Sequence, residues 1–191
     1  MLQQLIQSDD KESLTSLDLG LAGDWREEWE FIDDDDNDDD DVLRRNISYH
    51  LQYLDFLIRL YNHFHIYATI ESLLCKNILV NTNSIIEASL EYTVKKASNN
   101  PESIERIKYL DLINIATTEY QIISSDMANL LHWLRKQRNL QHFQSGENRE
   151  LDNYSIDDAN KAIKLLESYR KQLKKYYKKR QEKSLNHQHK H

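Results

Sequence analysis

Apolar side chains recur at helical spacing along most of this chain, and very few residues interrupt them. The 191 residues include only three glycines and one proline, the residues that most often end helices. From Val42 onward the apolar positions repeat at helical spacing, and the alternation typical of strands is absent. The chain is therefore predicted to be all-α, an antiparallel bundle of four to five long helices.

Helix-capping residues and the proline set the predicted boundaries. Ser124 or Ser125 begins one helix, and Ser155 begins the last, where Asp158 completes the spacing of a capping box. The predicted helices cover, in chain order, residues 42–64, 66–97 with a break near Asn81–Asn83, 101–123, 124 to Gly146, and 155 onward.

The net charge of −7 is divided unevenly along the chain. Residues 1–41 contain sixteen acidic and two basic residues, a balance of −14, which leaves +7 for residues 42–191. Eight of these acids lie in DDDDNDDDD at Asp33–Asp41, a predicted solvated linker because like charges repel and nothing apolar can be buried. We expect an acidic arm at 1–41, the bundle at 42–180 and a polar, histidine-containing tail at 181–191.

Before the Asp run, DWREEWEFI predicts a short amphipathic helix that starts at its Asp, with Trp25, Trp29 and Ile32 at i, i+4 and i+7. These side chains are expected to dock the arm on the basic bundle as an electrostatic lid, with Asp33–Asp41 in place of RNA phosphates. A solubilising tail without fixed structure is the alternative.

The last predicted helix is strongly basic. From Lys161 to the C-terminus, eleven Lys and Arg residues stand against two Glu, with tyrosines interleaved in YRKQLKKYYKKR. Basic groups with neighbouring aromatic rings suit phosphate chains, although a solvated helix face has a similar composition. The predicted RNA-binding residues are Lys171, Lys174, Lys175, Lys178, Lys179 and Arg180.

Cys75, the single cysteine, rules out a disulfide framework and a thiolate metal cluster, and its apolar neighbours predict a buried side chain. His63 and His65 point to different helix faces, and the Asp run lacks the spacing of a calcium loop. No metal or cofactor is therefore predicted. Without a signal peptide or a long apolar run, a cytoplasmic protein with no membrane contact is expected.

The sharpest signal is LRKQRNLQHF at Leu134–Phe143, where charged residues continue an apolar helical stripe. On a helix Arg138 lies almost directly above that stripe, and Arg135 and His142 lie within roughly 60 degrees of it. The charged groups are thus predicted to point towards the core side. The stripe consists of Met127, Leu130, Leu131 and Leu134.

RNLQH, preceded by LLHWLRKQ and followed by a Gly-containing loop and YSIDDANKAIKLLESY, resembles the last two helices of HEPN domains, the higher-eukaryote and prokaryote nucleotide-binding superfamily. NTNSIIEASLEYTV at Asn81–Val94 is similar to an earlier core helix, where an acidic residue, here Glu87, follows paired aliphatic residues. The resemblance covers about residues 42–180. It implies an arginine and a histidine separated by four to six positions, with a polar residue after the arginine.

Arg138 is followed by Asn139, as in that pattern, but only three positions separate it from His142. Arg135 has the expected spacing of six but is followed by Lys136, so both arginines remain candidates. In related toxins that are neutralised by adenylylating antitoxins a Tyr comes two positions after the histidine. Here that position is Gln144, so an antitoxin or regulatory partner would have to act in another way.

The resemblance implies a metal-independent endoribonuclease that works as a homodimer, with two motif helices facing across a cleft. His142 is assigned to proton transfer because histidine titrates near neutral pH. Arg135 or Arg138 would hold the phosphate oxygens, Asn139 would orient the ring or the phosphate, and Glu87 would support the motif.

Two other interpretations remain open. The arginines could brace the bundle through Glu87 or Glu91 in an inactive nucleotide-binding or dimerisation module. The chain could also be a partner-binding protein whose Asp-rich arm mimics nucleic acid.

Overall fold

The computed structural model describes residues 22–32, 38–104, 107–139 and 154–188. Within these ranges the regular structure is entirely helical, which confirms the all-α prediction. Short 3-10 turns lie at Glu30–Ile32 and Pro101–Ser103. The six described α-helices are α1 (Ala22–Glu27), α2 (Asp38–His63), α3 (Ala68–Ala97), α4 (Tyr109–Thr118), α5 (Ser125–Asn139) and α6 (Ile156–Gln188).

The central element is α3, against which α2, α4, α5 and α6 all pack. Its buried residues are spread around the helix, as expected for a helix enclosed on several sides. Two of its buried polar residues contact α6: the hydroxyl of Ser89 lies 3.1 Å from that of Tyr169, and the hydroxyl of Thr93 lies 3.2 Å from that of Tyr177. Both tyrosines are buried on α6, so these hydrogen bonds fix the register of α6 on α3.

The inward face of α6 includes Ala159, Tyr169 and Leu173, which are buried. The predicted caps are confirmed. Ser124 Oγ accepts the backbone N–H of Met127 at the start of α5, and the hydroxyl of Ser155 accepts that of Asp158 before α6. Towards the C-terminus α6 passes the predicted boundary at residue 180 and continues to Gln188.

Two predicted boundaries within the bundle are wrong. α3 runs through Asn81–Asn83 without a break, because Asn83 is buried and the Asn81 amide donates back to Asn77 O at 2.8 Å. The helix predicted over 101–123 is a 3-10 turn followed by the short α4. α4 ends at Thr118, and three residues later Gln121 takes a positive φ of 51° as the chain turns back towards the bundle.

The arm residues from 22 to 32 belong to the same core as the bundle. Trp29 and Ile32 are completely buried, and this segment packs on α2 and α6. Glu28 forms an ion pair with Arg170, and the rings of Phe31 and Tyr177 are 5.8 Å apart. The predicted amphipathic helix therefore exists, although it starts at Ala22, ahead of the expected Asp, and finishes in a 3-10 turn.

The expectation of a linker throughout Asp33–Asp41 is wrong at its C-terminal end. Residues 38–41 are the first turn of α2. Asp41 is engaged within the chain, with Arg45 at 2.6 Å, Arg44 at 3.7 Å and Arg26 in closer contact. The remaining residues of the run, 33–37, lie outside the described ranges.

Cys75 is completely buried, as predicted, and burial raises the pKa of its thiol to about 11, with smaller contributions from Glu71 and Asp158. We expect no reaction with Ellman's reagent at about pH 8 in the folded protein, because the reactive species is the thiolate. One thiol per chain should react after unfolding in guanidinium chloride. Rapid, complete labelling of the folded protein would contradict the buried position.

Candidate functional site

Arg138 and Glu87 form an ion pair between α5 and α3, in which Arg138 Nη1 donates to Glu87 Oε2 at 2.6 Å. The amide of Asn83, one turn earlier on α3, donates to the same oxygen at 3.3 Å. Both charged side chains are partly shielded, with exposed fractions of 36% for Arg138 and 27% for Glu87. The prediction that Arg138 points towards the core side is therefore confirmed.

The geometry of α5 explains this orientation. Met127, Leu131 and Leu134 are buried against the bundle, and Arg138 comes one turn after Leu134 on the same line. Leu130, predicted to share this stripe, is instead 37% exposed because it lies at the edge of the line. The stripe is thus covered within the subunit by the packing of α3 and α4 on α5.

Burial and charge act in opposite directions on Glu87. Burial raises the pKa of its carboxyl, Glu91 adds to the rise, and the guanidinium of Arg138 and the amide of Asn83 oppose it. The carboxylate is therefore poorly solvated by water, and Arg138 favours its charged form. This is the electrostatic reason for the contact between α3 and α5 at this position.

Tyr109, at the start of α4, is close enough to the pair to interact electrostatically with Glu87, Arg138 and Arg135. Burial raises the pKa of Tyr109 well above its usual range, so the phenol stays protonated. Its hydroxyl is buried, and no hydrogen-bond partner is found for it in the described part of the chain. We call Asn83, Glu87, Tyr109, Arg135 and Arg138 the α3–α5 polar cluster.

The two arginines of the cluster have different surroundings. Arg138 forms an ion pair with Glu87. The Nε of Arg135 is buried, and no described residue forms an ion pair or hydrogen bond with this arginine. Arg135 also lies near His132, one turn earlier on α5. Burial lowers the pKa of His132, and the charges of Arg135 and Lys136 lower it further, so its ring is neutral at physiological pH.

Asn83, Tyr109 and His132 were not predicted as site residues. Asn83 could have been recognised by its i, i+4 spacing to Glu87, and His132 by its i, i+3 spacing to Arg135. No local pattern identifies Tyr109, because a separate helix brings it to the cluster.

The rest of the predicted motif is only partly described. α5 ends at Asn139, whose side chain lies outside the described set, as do His142 and Gly146. The cluster therefore joins Arg135, Arg138 and Glu87, three of the predicted site residues.

The predicted RNA-binding residues of α6 lie elsewhere. α5 and α6 are antiparallel, since Gln172 Nε2 donates to Ser124 Oγ at 3.2 Å and Lys161 Nζ lies 3.7 Å from the ring centre of Trp133. With a rise of 1.5 Å per residue, Arg138 is about 20 Å along α5 from the basic stretch. The five lysines are exposed and Arg180 is half-buried: Lys171, Lys174, Lys175, Lys178, Lys179 and Arg180.

An open groove of about 650 Å³ lies at that distant end, between the segment before α5 and the basic part of α6. Ser124, Gln172, Lys175 and Lys179 are among its lining residues. The structure thus separates a half-buried arginine cluster from an exposed lysine surface.

No protein-family model, curated protein or solved structure matched this chain. Among the described residues, no three His, Cys, Asp or Glu side chains are grouped so that they could hold a metal ion. None of the described helices has the length and apolar character needed to cross a membrane.

A double-mutant cycle with Glu87→Gln and Arg138→Met should give a coupling free energy of about 1 kcal/mol, because the pair is partly exposed to water. The control is the Glu91–Lys95 pair, 2.9 Å apart within α3, for which the roughly 0.3 kcal/mol of an i, i+4 helix pair is expected. Chemical unfolding measures both pairs. A coupling energy for Glu87 and Arg138 no larger than that of the control would show that this pair does not hold α5 on α3.

Proposed function

We propose that this protein is a metal-independent endoribonuclease of the HEPN type, whose active centre combines the α3–α5 polar cluster with His142. The observation that carries the proposal is the ion pair of Arg138, the arginine of RNLQH, with Glu87. Arg138 faces inward from α5, and its guanidinium lies 2.6 Å from the half-buried carboxylate of Glu87 on α3. Such a pair keeps a guanidinium in a fixed orientation beside the end of the motif helix. The resemblance in sequence implies the same pairing of helices.

The proposed reaction is an internal transfer at phosphorus. The ribose 2′-oxygen attacks the adjacent phosphorus and forms a P–O2′ bond while the P–O5′ bond breaks. One imidazole accepts the 2′-hydroxyl proton, and a protonated imidazole donates a proton to the departing 5′-oxygen. The products are a 2′,3′-cyclic phosphate and a free 5′-hydroxyl.

The surroundings of the two arginines support a division of roles. Arg138 is engaged by Glu87 and serves as the positioning residue that orients the end of α5. Arg135, for which no ion pair is found among the described residues, is available to hold the phosphate oxygens. This assigns the spacing of six residues to the catalytic pair Arg135 and His142, with Asn139 between them as an orienting amide.

The chemistry also requires two copies of the chain. RNLQH supplies one histidine, whereas the reaction needs both a proton acceptor and a proton donor. A two-fold dimer with paired motif helices would provide both. The apolar stripe of α5 is covered within the subunit and so is not available as a dimer contact. The dimer is proposed because the reaction needs two imidazoles and each motif supplies one.

Cleavage of single-stranded RNA should persist in EDTA, and His142→Ala should slow it by roughly 10²–10⁴-fold while the circular dichroism stays unchanged. His132→Ala is the matched control, because His132 lies on α5 and is given no part in proton transfer. Products are checked for 2′,3′-cyclic phosphate ends. Wild-type cleavage by the His142→Ala variant, or no cleavage by any preparation, would refute the proposal.

The dimer is tested by light scattering of the wild-type chain and of an Arg135→Glu variant. We expect a dimer that the variant weakens, because two added carboxylates would face each other near the two-fold axis. Lys183→Glu, at the far end of α6, is the control. An RNA-cleaving monomer at about 100 μM would contradict the shared centre.

The same ion pair favours a second candidate function, in which Arg138 only braces the bundle of an inactive RNA-binding or dimerisation module. In that case RNA would bind without being cut, and Arg138→Met would change stability alone. A filter-binding assay beside the cleavage assay separates the two candidates.

A further inference from the structure

A cavity of about 240 Å³ lies where the arm meets the bundle, and no member of the α3–α5 polar cluster lines it. The arm contributes Trp25 and Trp29. The apolar wall comes from α2 and α6, whose lining residues recur at helical spacing. They include Leu54 and Ile58 on α2 and Ile163 and Leu166 on α6. The cavity therefore exists only when the arm is docked.

The two tryptophans of the arm pack tightly at the wall of the cavity. Trp29 is completely buried and Trp25 half-buried, and for neither indole N–H is a partner found among the described residues. A buried donor without an acceptor is costly and uncommon in a folded protein. Because both N–H groups are themselves covered, they lie out of reach of a molecule in the cavity, which meets the indole rings and the apolar wall instead.

The charges around the cavity are mostly negative. Its lining includes three carboxylates, Glu28, Asp55 and Glu167, and one guanidinium, Arg170. Glu28 pairs with Arg170, and Asp55 accepts from Arg59 Nε at 2.9 Å. For Glu167, which is exposed at the rim, no ion pair is found within the described ranges. The site thus repels anions and leaves one carboxylate for a cation.

We propose that this cavity binds a small organic cation that has one aromatic ring and an ammonium group. The ring occupies the apolar interior, and the ammonium lies near Glu167. Indole faces attract cations as well, which adds to the selection of charge. The site is independent of the proposed ribonuclease activity.

The size of the cavity supports a ligand of this kind. Apolar cavities of about 150 Å³ accommodate benzene, so 240 Å³ leaves space for one ring with a short polar chain. Because the arm supplies part of the wall, bound ligand would stabilise the docked arm by mass action. The cavity would then report the presence of the ligand through the position of Trp25 and Trp29.

The first experiment uses L-phenylalaninamide as the probe at about pH 6, where its amine is protonated. The matched neutral molecule is 3-phenylpropanamide, which has the same ring and amide but no amine. Fluorescence is read in the Trp133→Phe variant, whose remaining tryptophans are Trp25 and Trp29, and calorimetry repeats the titration on the wild-type chain. We expect saturable binding of the amine with a Kd of roughly millimolar or tighter, and weaker binding of the neutral molecule.

Substitutions then locate the ammonium. Glu167→Gln should weaken binding of phenylalaninamide by roughly two- to fivefold, as expected for an exposed ion pair, and should leave the neutral molecule unaffected. Glu182→Gln, an exposed glutamate further along α6, is the control and should change neither affinity. The proposal is overturned if phenylalaninamide does not bind saturably, if the neutral molecule binds equally well, or if both substitutions have the same effect.

Discussion

The half-buried carboxylate of Glu87 is the constraint on which the arrangement of α3, α4 and α5 depends. A carboxylate that has lost much of its water must be neutralised or must meet a cation, and Arg138 reaches it from α5 at 2.6 Å. Because the guanidinium of Arg138 has to lie beside Glu87, the preceding residues of α5 pack against α3 in one register. Tyr109 closes the cluster from α4, and its protonated phenol adds no charge beside the pair.

A second set of polar contacts fixes the opposite side of α3. Tyr169 and Tyr177 of α6 meet the hydroxyls of Ser89 and Thr93, so α6 is held in register by buried hydrogen bonds as well as by apolar packing. This register points the lysines of α6 towards solvent at the far end of α5. Under the proposed function, an RNA chain that reached from the lysines to the end of α5 would have to extend over about 20 Å. The two surfaces would then meet different parts of one long RNA chain.

Local sequence signals predicted the features that depend on neighbouring residues. The capping serines, the burial of Cys75 and the direction of Arg138 all follow from residues that are neighbours along one helix. Tertiary contacts decided the rest. The asparagines of α3 favour a break by propensity, but the middle of α3 is enclosed by other helices, and packing outweighs propensity there. The Asp run was expected to be a linker throughout, yet its last four residues enter α2, where Asp41 meets arginines. Neither the place where Trp29 is buried nor the approach of Tyr109 has a signature in adjacent residues.

The central claim is that Arg138 favours the charged form of the Glu87 carboxyl against the effect of burial. It is tested most directly by following the side-chain ¹³C carboxyl resonance of Glu87 during a pH titration of the wild-type chain and of an Arg138→Met variant. The account predicts a pKa above the usual range for glutamate in the wild type, and a higher pKa in the variant, since the opposing guanidinium is gone. The same pKa in both proteins would contradict it, because Arg138 would then have no electrostatic hold on Glu87.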